Sequence, residues 1–209
     1  MQTLQQRNIE LSVIVPVYNL ENWISPLLDS LRRQNLYIFR VEFIFVMNNC
    51  TDRSEEVIRE SGLGCKILYC KEQGCGCARN AGFEEAQGTY IWFLDGDDWL
   101  LSDTAIREVL EKAFGEDLDI LYIPLASDGF KVQYFSMVPQ YLLKREFVEE
   151  FRFPSIMPSE DDAYMEQVLR KAGKDRHTFR TLPSIDRPLY FYNYPREGSV
   201  MQRHYQGKL

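Results

Sequence analysis

Tyr90-Ile91-Trp92-Phe93-Leu94-Asp95-Gly96-Asp97-Asp98-Trp99 is an apolar run that stops at three carboxylates in four positions. Its first five residues are β-prone and apolar throughout, which reads as a buried strand. Clustered like charges repel and raise one another's pKa unless something positive lies among them. A divalent cation is the simplest counter-charge, and hard oxygen ligands suit Mg2+ or Mn2+. The carboxyl end of a strand is also where open α/β sheets bind ligands. The stretch alone reads equally as a metal–phosphate site at a strand tip or as an acidic surface turn.

The residues before it separate the two readings. Leu11 to Pro16 is a strand, followed by a turn at Val17-Tyr18-Asn19 and a helix over Glu21 to Gln34. Val41 to Met47 is a second strand; it breaks at Asn48-Asn49-Cys50, and Thr51 and Asp52 suit the cap of a helix over Arg53 to Ser61. Cys65 to Cys70 is a third strand, and Gly74-Cys75-Gly76 turns into a helix over Cys77 to Ala86. Strand–helix repeated three times and closed by a strand predicts a mostly parallel sheet with right-handed crossovers. The loops 17–19, 48–52, 73–77 and 95–98 then share one edge, which favours the site over the acidic turn. The fold class expected is α/β, a Rossmann-like sandwich with helices on both faces.

The second half is less regular. Helices are expected over Asp103–Phe114, Lys144–Phe151 and Asp161–Ala172, and strands over Asp119–Pro124, Lys131–Phe135 and Leu189–Tyr194. No internal repeat or low-complexity linker marks a boundary. The expectation is a single domain over 1–209, with a ligand-binding half at about 11–100 and a second half with a C-terminal tail at about 101–209.

Bulk properties exclude several classes. The 209 residues carry a net charge of −7, which argues against a general nucleic-acid binder. No apolar run is long enough to span a membrane. Met1 to Glu10 is polar and lacks the apolar core of a secretory signal. A cytosolic protein is expected, compatible with peripheral contact at the inner membrane face. Five cysteines lie between Cys50 and Cys77, in no paired zinc-knuckle pattern, and read as free buried thiols.

Two further motifs carry chemistry. Gly74-x-Gly76-x-x-Arg79 stands where a dinucleotide fingerprint belongs, but Arg79 replaces the third glycine, which disfavours a Rossmann dehydrogenase. What remains is a helix N-terminus with a cation one turn in, suited to an anionic diphosphate. Pro158-Ser159-Glu160-Asp161-Asp162 sets three acids ahead of a helix. Ser159-x-x-Asp162 fits a capping box, yet a cap needs one acid, so a carboxylate is left to act as a general base.

Together, Val13-Ile-Val-Pro-Val-Tyr-Asn19, Cys50-Thr-Asp52, Ala78-Arg-Asn-Ala-Gly82, Phe93-Leu-Asp-Gly-Asp-Asp98 and the acidic helix start resemble family 2 glycosyltransferases of the GT-A fold. The resemblance runs from about Leu11 to Met201, and Tyr192-Asn-Tyr-Pro-Arg-Glu-Gly-Ser199 is similar to a tail of bacterial polysaccharide members. It implies inverting transfer from a nucleotide-sugar donor, a UDP-sugar, to a saccharide or lipid-linked acceptor, with Mg2+ or Mn2+. It implies that Pro16, Val17 and Tyr18 cradle the nucleoside and that Asn48 stands at the base. Arg79 then lies near the diphosphate, Asp95, Gly96 and Asp97 bind the donor, and Asp97 with Asp95 holds the metal. Asp98 is left facing the donor sugar. Arg196 and His204 of the tail are candidates to assist. The family's Glu-Asp pair aligns best with Asp161-Asp162, giving the base role to Asp162; aligning it with Glu160-Asp161 gives Asp161.

Two departures stand out. The family commonly carries Asp-Asp-Gly-Ser-Thr-Asp where this chain has Met47-Asn48-Asn49-Cys50-Thr51-Asp52, so a charge-assisted contact to the base becomes a neutral one. Only 62 residues separate Asp98 from Asp161, so the acceptor half is minimal. A non-catalytic nucleotide-sugar binder on a decayed scaffold is the rival reading. A sugar-phosphate nucleotidyltransferase ranks low, since Pro16-Val-Tyr-Asn19 lacks its glycine-rich signature.

Overall fold

The computed structural model describes residues 8–127, 137–155, 160–175 and 177–193. In chain order the elements begin with β1 (Leu11–Val17), α1 (Ser25–Arg32), β2 (Val41–Asn48), α2 (Ser54–Glu60), β3 (Lys66–Cys70), α3 (Cys75–Glu85) and β4 (Tyr90–Phe93). Then come β5 (Trp99–Leu100), α4 (Ala105–Gly115), β6 (Ile120–Tyr122), β7 (Leu125–Ala126), β8 (Tyr141–Lys144), α5 (Arg145–Val148), α6 (Glu160–Lys171) and β9 (Tyr190–Phe191).

The main sheet runs β3-β2-β1-β4-β8-β6. Its first four strands are parallel, as three successive βαβ units require. β8 then pairs antiparallel with both β4 and β6. A smaller sheet, β5-β9-β7, stands beside it.

Strand alternation explains why both faces are covered. Val13, Val15, Val17, Phe45, Met47, Trp92 and Leu94 enter one apolar layer with residues of α1, α2 and α4. Ile14, Ile44, Val46, Ile91 and Phe93 enter the other, with residues of α3, α5 and α6. α3 crosses β1 and β2 closely: a Cβ at Gly82 would lie 2.4 Å from Ile14 Cγ2 and 3.2 Å from Val46 Cγ2.

Three expectations shift. The first helix begins at Ser25, because 21–24 form a turn in which the Leu20 carbonyl accepts from Trp23 and Ile24 N–H. Tyr141–Lys144 is a strand, whose first three residues carry no sequence expectation, and the helix expected over Lys144–Phe151 contracts to Arg145–Val148. The late strand contracts to Tyr190–Phe191. The strand expected at Lys131–Phe135 lies outside the described residues, as do Pro158, Ser159 and the tail residues Arg196 and His204. Among the described residues no helix is long and apolar enough to cross a membrane.

Candidate functional site

The parallel register aligns the carboxyl ends of β1, β2 and β4. Val17 pairs with Met47, and Ile14 with Phe93. The loops after these strands therefore meet along one edge, and their side chains bind one another's backbone. Asn19, at φ 50°, accepts the Thr51 N–H through Oδ1 at 2.8 Å. Asp52 accepts the Glu21 N–H at 2.9 Å, and Glu21 accepts the Arg53 N–H at 2.8 Å. Asn48, buried at the end of β2, accepts the Gly74 N–H at 2.9 Å and donates to the Glu72 carbonyl at 2.5 Å. Both ends of its amide are thus committed to the loop that launches α3. Pro16 and Val17 close β1 in the core, and Tyr18 extends from its tip, 38% exposed.

Arg79 lies in the first turns of α3, buried, and reaches both acidic elements. Nη1 donates to Asp161 Oδ1 at 2.6 Å and Nη2 to Asp95 Oδ1 at 2.7 Å. Its guanidinium packs over the Phe153 ring at 5.3 Å. Nε is buried and meets no acceptor among the described residues. Burial opposes the cation's charge, but the Asp161 and Asp95 carboxylates more than offset it and hold the guanidinium firmly protonated. Asp161, the second residue of α6, has its pKa pushed up to about 7: burial drives it, Arg79 opposes it, and Asp95 and Glu160 add to it. Its side chain remains 27% accessible.

The three acids at the start of α6 take three environments. Glu160 is buried, with Oε2 unpartnered among the described residues and its pKa raised by burial. Asp161 joins Arg79, and Asp162 is exposed. One helical step is about 100°, enough to swing neighbouring side chains from core to site to solvent.

The acids after β4 divide as well. Asp95 faces Arg79, Gly96 is buried against the 16–20 loop, and Asp97 is half-buried. Asp98 is buried and turned away from the edge. Its Oδ1 accepts the Asn193 N–H at 2.8 Å, and its Oδ2 accepts the Tyr190 hydroxyl. The expectation that Asp98 faces a sugar gives way to an internal anchor.

Among the described residues no three His, Cys, Asp or Glu side chains converge as a metal cage. Mg2+ or Mn2+ at a nucleotide site needs none, since one or two carboxylates suffice with phosphate oxygens and water. Asp95 and Asp97, two residues apart after β4, are oxygen donors of the type such a cation takes. All five cysteines are free and half-buried, a more exposed state than expected.

Sequence reasoning passed over Tyr190, Asn193 and Phe153 as site-forming residues. Tyr190 and Asn193 sat inside an aromatic run that reads as core. Phe153 precedes Pro154 in a stretch with no periodicity.

A sequence profile described as Glycosyl transferase family 2 matches residues 12–172. The chain is 30% identical over 183 residues to an uncharacterized glycosyltransferase of Haemophilus influenzae, covering 77% of this chain and 72% of that protein. Matches to four other curated relatives span only 14% to 34% of those proteins. Among solved structures, Staphylococcus aureus TarS in complex with UDP-GlcNAc superposes with a TM-score of 0.82 at 22% identity, over 93% of this chain and 61% of that one. The mannosyltransferase PcManGT of Pyrobaculum calidifontis, in complex with GDP-Man and Mn2+, superposes at 0.72 with 16% identity, over 95% and 61%.

Proposed function

The chain belongs to glycosyl transferase family 2, and from that premise we propose that it moves a sugar from a UDP-sugar to an acceptor hydroxyl, with inversion at the anomeric carbon. The observation that carries the reading is Arg79, which joins a donor-side acid, Asp95, to an acid at the start of α6, Asp161. The acceptor class is a saccharide or lipid-linked saccharide of cell-surface polysaccharide synthesis, and the reaction takes place at the cytoplasmic face. UDP is favoured over GDP because the better-superposing relative was solved with UDP-GlcNAc. Residues 11–100 form the donor half and 101–209 the acceptor half.

In this reading Pro16, Val17 and Tyr18 border the nucleoside, with Asn48 holding the adjoining loop. Arg79, whose terminal nitrogens hold Asp161 and Asp95, lies near the diphosphate. Asp97, with Asp95, holds Mg2+ or Mn2+, which supplies charge neutralisation at the departing diphosphate. Asp161 accepts the proton of the acceptor hydroxyl as its oxygen attacks the anomeric carbon. It takes precedence over Asp162 because it is tied to Arg79 while Asp162 is exposed. A positioned base is worth about 10²–10⁴ in rate.

A non-catalytic binder is the second reading. It is favoured by Met47, which is buried in the apolar layer where the family carries an acid, and by the commitment of Asn48 to the backbone. Incubation of the purified protein with UDP-sugars and Mn2+ tests both. Release of UDP that depends on Mn2+, lost in Asp161→Asn and retained in Asp162→Asn, is the expected result. Loss in Asp162→Asn alone moves the base by one residue. No release with any nucleotide-sugar, alongside binding, selects the second reading.

A further inference from the structure

The carboxylate-bearing loop after β4 is held from a point some ninety-five residues later in the chain. The Tyr190 hydroxyl, buried, accepts the Asp95 N–H at 3.4 Å and donates to Asp98 Oδ2. The Asn193 N–H donates to Asp98 Oδ1 at 2.8 Å, and its side-chain Nδ2 donates to the Asp97 carbonyl at 3.1 Å. Three of the four loop residues are therefore gripped by two residues at the end of the described chain. The grip is braced by β5, which leaves the loop directly and pairs antiparallel with β9, Trp99 opposite Phe191 and Leu100 opposite Tyr190. The Trp99 and Phe191 rings stack at 4.3 Å with 14° between their planes.

We propose that Tyr190 and Asn193 are positioning residues that set the backbone at Asp95 and Asp97 for the divalent cation, acting through Asp98 as an anchor that is itself no ligand. The inference rests on the glycosyltransferase reading, and it assigns the third acid of the motif a different job from the first two. Both Asp98 oxygens already accept hydrogen bonds inside the fold, so turning either toward a cation would strand the Tyr190 hydroxyl or the Asn193 N–H. Asn193 acts one step further on. Its amide pins the peptide from which the Asp97 side chain departs, so the loop cannot rotate without breaking that bond. Outer-shell partners of this kind typically cost about 10–100-fold in metal affinity when removed.

The test is direct titration of Mn2+ by electron paramagnetic resonance, with UDP present, on the wild-type chain and on Asn193→Ala and Tyr190→Phe. Asn193→Ala deletes only the bond to the Asp97 carbonyl and leaves its own N–H on Asp98. Tyr190→Phe deletes only the hydroxyl. The expected result is Mn2+ binding weakened about tenfold or more in each, with the cation-free melting temperature lowered by no more than about 4 °C. Variants that bind Mn2+ as the wild type does overturn the inference while the glycosyltransferase reading stands. Wild type that binds no Mn2+ with UDP fails that reading, and the inference with it. A variant that does not fold without cation also overturns it, since the clamp would then serve the fold and not the loop.

Discussion

Arg79 keeps its charge while only 4% of its side chain is exposed, because each terminal nitrogen meets a carboxylate. A lysine carries a single point charge and cannot span Asp95 and Asp161 at once. Arg79→Lys is expected to lower kcat/KM for transfer by about 10²-fold through misplacement of the two acids, read in steady-state assays at saturating Mn2+. Asp161 gives a second expectation. A base must be deprotonated, so kcat/KM falls as pH drops through about 7. The same group weakens the fold at high pH. Its folded pKa is raised, so the folded state holds a proton that the unfolded state has released, and stability declines as pH rises from the ordinary carboxylate range to about 7. Asp161→Asn cannot ionise and escapes that loss. It should melt above the wild type at pH 8, and the gap should close toward pH 4, by calorimetry. No gap at pH 8 would mean that Arg79 fully compensates the buried charge.

At the scale of elements, the approach of α3 to the sheet is set by Gly82. Alanine there gains about 1 kcal/mol of helix propensity over glycine. Its Cβ, however, would fall 2.4 Å from Ile14 Cγ2, a branch methyl fixed in the core of β1. Overpacking of this kind costs about 1–3 kcal/mol. Urea unfolding should show Gly82→Ala less stable than wild type and Gly82→Val less stable again. The four parallel strands were legible because each is an apolar run bounded by turn residues. β8 was not: its apolar part is Tyr141-Leu142-Leu143, too short to show a period, and it joins α5 without a turn. The acidic loop was legible because charge at the end of a buried strand needs a reason. The choice between Asp161 and Asp162 was not, since three consecutive acids differ only in the phase of α6, which packing fixes. Tyr190 shows the same limit, because a buried aromatic in a strand gives no sign that its hydroxyl holds a loop.

Across the whole molecule, the parallel register sets the loops that follow β1, β2 and β4 along one edge of the sheet. A donor that binds only the folded chain stabilises it by mass action, about 2.7 kcal/mol at a hundred times its Kd. For a chain of this size that is about 5–10 °C in melting temperature. Among UDP-, GDP-, CDP- and dTDP-sugars with Mn2+, the largest shift is expected with a UDP-sugar, and a larger one with a GDP-sugar would reassign the base. The chain spans 14% to 34% of four curated relatives, so the acceptor's size and linkage are read best from transfer products. The lateral bonds among the strand-tip loops have one more consequence. Surface loops usually exchange their amide hydrogens quickly, since water reaches their N–H groups. Here Glu21, Thr51 and Arg53 each donate the N–H to a side chain of a neighbouring loop, and Gly74 donates to Asn48 at the tip of β2. In deuterated water these four amides should stay protonated far longer than their loop positions suggest, before any nucleotide is added. The nucleoside would then meet a floor already set, and little ordering entropy would remain to be lost on binding.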